Sequence, residues 1–584
     1  MVRKNLGFLV TTGLIVLFLY YASQFNNPLI GSQKKKIDIN YSSDVTGSNG
    51  MVVSASRYAS EVGINILQSG GNAVDAAVAM GFALTVTYPQ AGNIGGGGFM
   101  VIKTKEKITT IDYREKAPIG STRNMFLNEK GDFLPEKSQV GHLSAGVPGS
   151  VAGMLFALEK YGSMTREDVL AQSIKLAEDG FEMEEKLAES LNSNYDLFNK
   201  FPSSRKVFTK GGLKFAPGEK FIQKDLANTL KLISIHGKDG FYSGITAELI
   251  IKEMQQGGGI ISKEDLLSYQ PVEREPVHTN YKGYDVYSMP PPSSGGIALI
   301  QLLNMVENET IPDRNDVYYG IKDQANYYHT VIENMKRVYA DRSEHLGDPD
   351  FWKVPVNELT SKDYAKKRRN EIDDNATPSN EIKPGVFVNE SDQTTHYSIV
   401  DKDGNMVSVT TTLNNTYGSG VVVDGAGFLL NDEMDDFASK PGEPNMFGLI
   451  GNEANAIAPG KRMLSSMTPT IILKDGNPFM VLGSPGGGRI ITAVYTTIVN
   501  VIDHKMSLDS AIDRPRFHHQ WQPEYLQYEI GAIDDEVMAK LTEKGHQVKQ
   551  ISDYGRVEGI LIDWKNKKYY GHSDRRGYGA AIGY

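Results

Sequence analysis

Residues 73–87 read Ala-Val-Asp-Ala-Ala-Val-Ala-Met-Gly-Phe-Ala-Leu-Thr-Val-Thr, an apolar run with one charge near its start. At helical pitch such a run is hydrophobic on nearly every side, so it belongs inside a large core rather than on a surface. Its boundaries are written in local chemistry. Asn72 offers an N-cap with Asp75 three residues on, and Pro89 stops the helix. An apolar helical pattern over residues 57–68 precedes it and ends at Ser69-Gly70-Gly71, a C-cap signal. With 584 residues, 40% hydrophobic and 23% charged, the chain can bury such a helix,. That composition excludes dominant disorder, collagen-like sequence and a multi-span membrane protein.

Charge and cysteine narrow the function classes. A formal net charge of -10 argues against nucleic-acid binding through a basic surface,. The absence of cysteine removes disulfides, Cys-ligated zinc, iron–sulfur clusters and a Cys nucleophile together,. It also suits an oxidising exterior. Arg3 and Lys4 precede an apolar stretch over residues 6–22, at the short limit for a bilayer span,. The bulky residues in Tyr20-Tyr21-Ala22-Ser23 disfavour a small-x-small cleavage site. The segment reads as a retained signal-anchor, with a cleaved signal peptide or a buried helix as alternatives, and the rest of the chain reads as a soluble domain on the outer side. Membrane contact is expected only through this segment.

Gly95 to Gly98 lead into a strand at residues 99–102, whose partner at 109–113 delivers Arg114. Residues 148–370 read as largely helical, with a rigid turn at 290–296 opening a helix. Residues 371–393 are polar and read as an exposed loop, long enough to be functional or cut. Alternating strands then flank Asp401-Lys402-Asp403-Gly404-Asn405, a strong hairpin signal. Residues 483–488 open a helix over 490–502.

The chain has no phosphate-binding G-x-x-x-x-G-K-[ST], no H-E-x-x-H and no G-x-S-x-G. His518 and His519 are adjacent and face opposite ways on a strand, so they read as structural. These motif absences leave function to a less advertised constellation. The informative place is Gln393-Thr394-Thr395-His396. A cut before Thr394 gives that residue a free α-amine beside its own hydroxyl, so one residue serves as nucleophile and base. Thr412 and Asn414 lie on the return strand. Glu433, Asp436, Ser465, Ser466 and the backbone of Gly486 and Gly487 supply small polar groups and donors for an oxyanion hole and an amino-acid clamp. Arg114 suits a carboxylate.

These residues, with Asp112-Tyr113-Arg114-Glu115, residues 290–296, 393–398, 431–437, 464–470, 483–487 and 514–519, resemble the γ-glutamyltranspeptidases (glutathione hydrolases) of the N-terminal-nucleophile hydrolases. The resemblance runs from about Gly50 to Tyr584. It implies an α+β, four-layer αββα sandwich and a proenzyme cut between Gln393 and Thr394. The organisation implied is a signal or anchor and linker (1–36), a large subunit (37–393) and a small subunit (394–584), the last two forming a heterodimer. By resemblance Thr394 is the nucleophile and Thr412 the hydroxyl beside it. Arg114, Ser465 and Ser466 bind the donor's α-carboxylate. Asn414, Glu433 and Asp436 bind its α-amine, and Gly486 and Gly487 form the oxyanion hole. The substrates implied are a small γ-glutamyl donor and an amino-acid or peptide acceptor, and the resemblance implies no metal or organic cofactor. Two positions depart from many members. Phe447, in a lid loop over residues 441–451, replaces a tyrosine that latches onto the counterpart of Asn414, and Glu433 replaces a glutamine found in some. The same machinery could act on poly-γ-glutamate. A non-enzyme alternative, an anchored binding protein that never cleaves, is disfavoured by Thr394 and the Gly486-Gly487 pair.

Overall fold

The hairpin around the Asp-Gly turn forms as strands Gln393–Asp401 and Met406–Asn414. Asp401 Oδ1 closes the turn by accepting from the N–H groups of Asp403 and Asn405 at 2.9 and 3.0 Å. The two strands lie at the centre of a seven-stranded antiparallel sheet in the order Ala580–Gly583, Gly50–Ser54, Gln393–Asp401, Met406–Asn414, Gly97–Lys103, Ile108–Asp112, Val272–Arg274. A second seven-stranded sheet runs Val45–Gly47, Lys568–Ser573, Glu558–Asp563, Asn477–Gly483, Thr470–Lys474, Tyr284–Ser288, Val277–Tyr281. This computed structural model describes residues 39–309, 321–382, 393–440 and 453–584, and Asn40–Tyr584 forms one unit.

The inner faces of the two sheets meet through Met51, Val53, Val101, Val400, Ile471 and Val481, among other buried side chains. Helices Arg57–Gln68 and Ala73–Thr87 cover the outer face of the first sheet, and Gly295–Val306, Arg489–Ile502 and Leu508–Asp513 that of the second. The architecture is therefore αββα. Helix Ala73–Thr87 is buried at every residue. It starts at the expected capping box, with Asn72 Oδ1 accepting from the N–H groups of Val74 and Asp75 and Asp75 accepting from Asn72 N–H.

The halves before and after Thr394 are interleaved. They share the ladders Gly50–Ser54 with Gln393–Asp401, Gly97–Lys103 with Met406–Asn414, Gly50–Ser54 with Ala580–Gly583, Val45–Gly47 with Lys568–Ser573, and Tyr284–Ser288 with Thr470–Lys474. A cut before Thr394 leaves all of these in place. The two pieces are expected to co-purify without a covalent link and to separate only in denaturant.

One close approach fixes the stacking near Thr394. A Cβ placed on Gly483, the last residue of its strand, falls 2.4 Å from Cε1 of the fully buried His396 ring. That ring is held by Thr410 Oγ1 at 2.9 Å and Ser398 Oγ at 3.1 Å. Gly483→Ala is therefore expected to cost roughly 1–3 kcal/mol of stability by overpacking. Denaturant unfolding checks it, and an unchanged midpoint means that the interface between the sheets yields.

The structure extends the sequence reading in several places. Gly50–Ser54, Val277–Tyr281, Tyr284–Ser288, Lys568–Ser573 and Ala580–Gly583 are strands that the periodicity did not single out, stabilised by long-range pairing. Within the loop expected over 371–393, Ser379 and Ile382 are buried. Ser379 Oγ donates to the Trp521 carbonyl at 2.7 Å and Trp521 Nε1 donates back at 2.6 Å, so Ser379 anchors a stretch whose described residues 371–381 are otherwise mostly exposed, as expected. Residues 383–392, the N-terminal segment 1–38 and the lid 441–451 with Phe447 lie outside the described residues. Among the described residues no helix is long and apolar enough to cross a membrane.

Candidate active site

Thr394 lies opposite Thr412, and Thr412 lies opposite Gly97 on the next strand. The register shifts between Gln393 and Thr394, because Gln393 pairs with Asn414 while Thr394 pairs with Thr412. Leu413 is thus the extra residue of an irregularity located at the Gln393–Thr394 bond. Such irregularities interrupt pairing and re-aim the chain, and they concentrate beside active sites. Asn414 adopts φ 76°, in the left-handed region. Its N–H donates to Thr412 Oγ1 at 2.8 Å and its Nδ2 to the Asp432 carbonyl at 3.0 Å. Thr394, Thr412 and Asn414 are all buried.

The neighbouring strands continue this line to a charged cluster. Phe99 pairs with Asp112, and Tyr113 N–H donates to the Gly98 carbonyl, which delivers Arg114 and Glu115 at the same end of the sheet. Gly97 makes room for Glu115, whose Oε2 lies 2.5 Å from a Cβ placed there. The Arg114 fork pairs with Glu433 through Nη1 and with Asp436 through Nη2. Glu115 stands 3.7 Å from Nη1. The guanidinium also donates to the carbonyls of Met463 and Leu464 at 3.3 and 3.1 Å. All four side chains are buried.

One cation therefore faces three carboxyl groups away from water. Burial pushes Glu115 up to about 7, against the pull of Arg114. Burial also raises Glu433 well above the usual carboxylate range, and raises Asp436. Among the described residues no donor reaches Glu433 Oε2 or Asp436 Oδ1, although both are buried.

Ser465 and Ser466 close the other side. Ser465 is pinned through its backbone, its N–H donating to Pro292 and its carbonyl accepting from Ser294 N–H at 2.6 Å. This is the job of the rigid turn at 290–296. Arg342 donates to Ser466 Oγ at 2.9 Å and to Ser294 Oγ at 2.8 Å. Asn455 ties the Asp436 carbonyl to Leu464 N–H. Asn431 holds Gly95, Gly146 and Glu433 N–H together. Gly486 and Gly487 have φ 131° and 55°, and form the turn between strand Asn477–Gly483 and helix Arg489–Ile502. Among the described residues neither N–H donates a hydrogen bond. The structure thus gathers Arg114, Glu433, Asp436, Ser465 and Ser466 in one buried cluster, beside Thr394, Thr412 and Asn414. Sequence reasoning missed Arg342, Asn455 and Asp432. Glu115 lay in a recognised motif but received no role.

Asp435, next to the cluster, gives a pH prediction. Burial pushes it up to about 7, although Ser138 Oγ donates to it. Its folded pKa exceeds its unfolded one, so the folded state binds more protons between about pH 4 and 7. Its contribution is complete below its unfolded pKa and is lost as pH rises through the folded one. Unfolding at pH 5 and pH 8 is expected to show the native protein less stable at pH 8, with Asp435 supplying on the order of 2–4 kcal/mol of the difference. Asp435→Asn should reduce that difference, Glu115 keeping its own share, and an unchanged slope refutes the assignment.

Two stacked antiparallel sheets faced by helices, with a threonine at the start of a central strand, form the architecture of the N-terminal-nucleophile hydrolases. Comparison with known proteins identifies the branch. The family described as Gamma-glutamyltranspeptidase matches residues 59–584, and the chain belongs to that family. The glutathione hydrolase proenzyme of Escherichia coli (strain K12) is 49% identical over 536 residues, covering 91% of each chain. The crystal structure of cephalosporin acylase from Bacillus halodurans superposes with a TM-score of 0.83 at 28% identity, covering 95% of this chain and 99% of that one. The Helicobacter pylori gamma-glutamyltranspeptidase structure matches with a TM-score of 0.55 at 46% identity, covering 60% of this chain and 97% of that one.

Proposed function

We propose that this chain cuts itself between Gln393 and Thr394, then carries the γ-glutamyl group of glutathione or a γ-glutamyl amide on Thr394 to water, an amino acid or a peptide. The carrying observation is the line across the sheet from Thr394 through Thr412 and Gly97 to the Arg114 cluster. Nucleophile and amino-acid clamp share one end of one sheet. The names of relatives such as the Escherichia coli glutathione hydrolase proenzyme support both the cut and the donor.

In maturation, Thr394 Oγ attacks the Gln393 carbonyl carbon. The peptide C–N bond breaks, its nitrogen gains a proton as the Thr394 α-amine, and Gln393 is held as an ester. Water cleaves the ester, leaving a Gln393 carboxylate and a free Thr394 hydroxyl. The new amine, with a pKa near 8, then accepts the hydroxyl proton when Thr394 attacks a donor. Thr412 orients that hydroxyl, and Gly486 and Gly487 N–H stabilise the oxyanion.

The free cluster supports a preference for an amino-acid head group. Arg114 is paired with Glu433 and Asp436 before a donor arrives. A γ-glutamyl donor brings one carboxylate and one ammonium. The carboxylate takes Arg114, Ser465 and Ser466, while the ammonium takes Asn414, Glu433 and Asp436. Every internal partner is exchanged for one on the donor, so no buried charge is left alone. A neutral amide lacking either charge leaves one side unpaired and binds poorly.

The N-terminal segment exports the protein or anchors it on the outer face of the cell membrane, which protease treatment of intact cells checks. A denaturing gel of purified protein, with mass spectrometry, tests the cut: two chains, the smaller starting at Thr394, support it. A donor screen with glutathione, glutamine and poly-γ-glutamate tests the substrate. Preference for the polymer overturns the small-donor reading, and one uncut, inactive chain overturns the whole.

A further inference from the structure

We infer that the cleft between the Gly486 turn and residues 553–556 is an acceptor subsite in which Arg556 binds the carboxylate of the incoming amino acid or peptide, an inference that rests on the γ-glutamyl transfer proposed above. The cleft holds about 310 Å³ and is lined by Gly486 itself together with Arg489, Tyr554 and Arg556. Gly555 packs against Gly486, its Cα 3.4 Å from a Cβ placed there. Arg556 N–H donates to Ser484 Oγ at 3.0 Å. The loop carrying Arg556 is therefore tied to the loop carrying the oxyanion donors.

Charge distribution singles out Arg556. Arg576 also lines the cleft, but Glu529 and Asp574 hold its guanidinium at 2.6 and 2.9 Å. Arg489 donates to Gln527 at 2.9 Å and lies over the Tyr554 ring. Arg556 is half-buried between this cleft and a second one lined by Tyr88, Glu184, Lys186 and Glu189, and donates Nη1 to the Tyr88 hydroxyl at 2.7 Å. Among the described residues it forms no ion pair. The acid nearest in sequence, Glu558, is fully buried, and burial holds its carboxyl well above the usual range, so it offsets little of that charge. Asp553 on the same loop is exposed to water. A cation held by a hydroxyl, at the wall of a cleft open to solvent, suits an anionic ligand.

The reaction places such a ligand there. When the γ-carbonyl oxygen sits on Gly486 and Gly487 N–H, the head group of the donor fills the Arg114 cluster. The amine that leaves and the amine that arrives share the remaining side of the carbonyl carbon. Amino acids and peptides carry a carboxylate behind that amine, and Arg556 lines the cleft that begins at Gly486.

The test compares glycylglycine with glycylglycinamide as acceptors of the mature enzyme, using γ-glutamyl-p-nitroanilide as donor and rates corrected for the free-amine fraction. Wild type is expected to favour the carboxylate by roughly ten-fold or more in kcat/KM, the range for a hydrogen bond to a charged group. Arg556→Gln should bring that ratio close to one, and Arg556→Lys should restore part of it. A wild-type ratio near one overturns the inference. So does an unchanged ratio in Arg556→Gln, or equal loss of both acceptors in that variant. Release of p-nitroaniline by wild type with no carboxylate preference refutes the subsite alone. No release at all refutes γ-glutamyl transfer, and the subsite with it.

Discussion

Thr394→Ala is expected to purify as one uncut chain of 64.3 kDa with no measurable γ-glutamyl transfer. In the proposed mechanism a single hydroxyl serves both the cut and the transfer, so its loss leaves neither step a nucleophile. The fold should survive. Thr394 is buried opposite Thr412 in a central strand, and alanine removes only a hydroxyl and a methyl group while the ladders remain. Activity should fall by at least about 10³-fold, as when other activated nucleophiles are deleted. Mass spectrometry and a donor assay check it together. A fragment beginning at residue 394 shows cleavage by another agent and sinks the autocatalytic reading.

The second large effect belongs to Arg114, where two substitutions separate binding from stability. Arg114→Lys keeps the charge but loses the fork that now grips Glu433 and Asp436,. It is expected to mature normally and to bind donor more weakly by ~1.5–3 kcal/mol, about 10- to 100-fold, mostly in KM. Arg114→Met removes the cation paired with Glu433 and Asp436 and leaves three buried carboxyl groups facing one another. Breaking a buried pair this way costs up to about 3–5 kcal/mol of stability. Protonation limits the loss at low pH, so Arg114→Met should be least stable at high pH. Donor kinetics on the first variant and unfolding at pH 5 and pH 8 on the second check these outcomes. An unchanged donor KM in Arg114→Lys removes the residue from the site.

The parts of this molecule legible in one dimension are those whose cause is local. The Asp-Gly turn announced the hairpin that carries Thr394, because its side-chain and backbone bonds close within five residues. The apolar run at 73–87 announced an interior helix, because a helix hydrophobic all round has no stable place in water,. The resemblance motifs named the residues of the cluster without their partners. Arg114 was expected to wait for a substrate carboxylate, but in the free protein it is engaged by the two acids expected to bind the ammonium.

Positions that depend on distant neighbours had no such signal. Strand Gly50–Ser54 is made by pairing with both Gln393–Asp401 and Ala580–Gly583, so its own five residues do not announce it. Arg342 reaches Ser466, and Asn455 bridges Asp436 and Leu464, across separations that periodicity does not encode. The irregular register at Gln393–Thr394 is likewise a property of two strands and not of either one. Residue type and short-range spacing were enough to place a hairpin and an interior helix, while the resemblance supplied the expected roles of Thr394 and the charged groups. The convergence of these groups at one sheet end, and the place of Arg556 beside the Gly486 turn, exist only in the folded chain. There, ladder pairing and burial set which groups meet and which charges stay uncompensated.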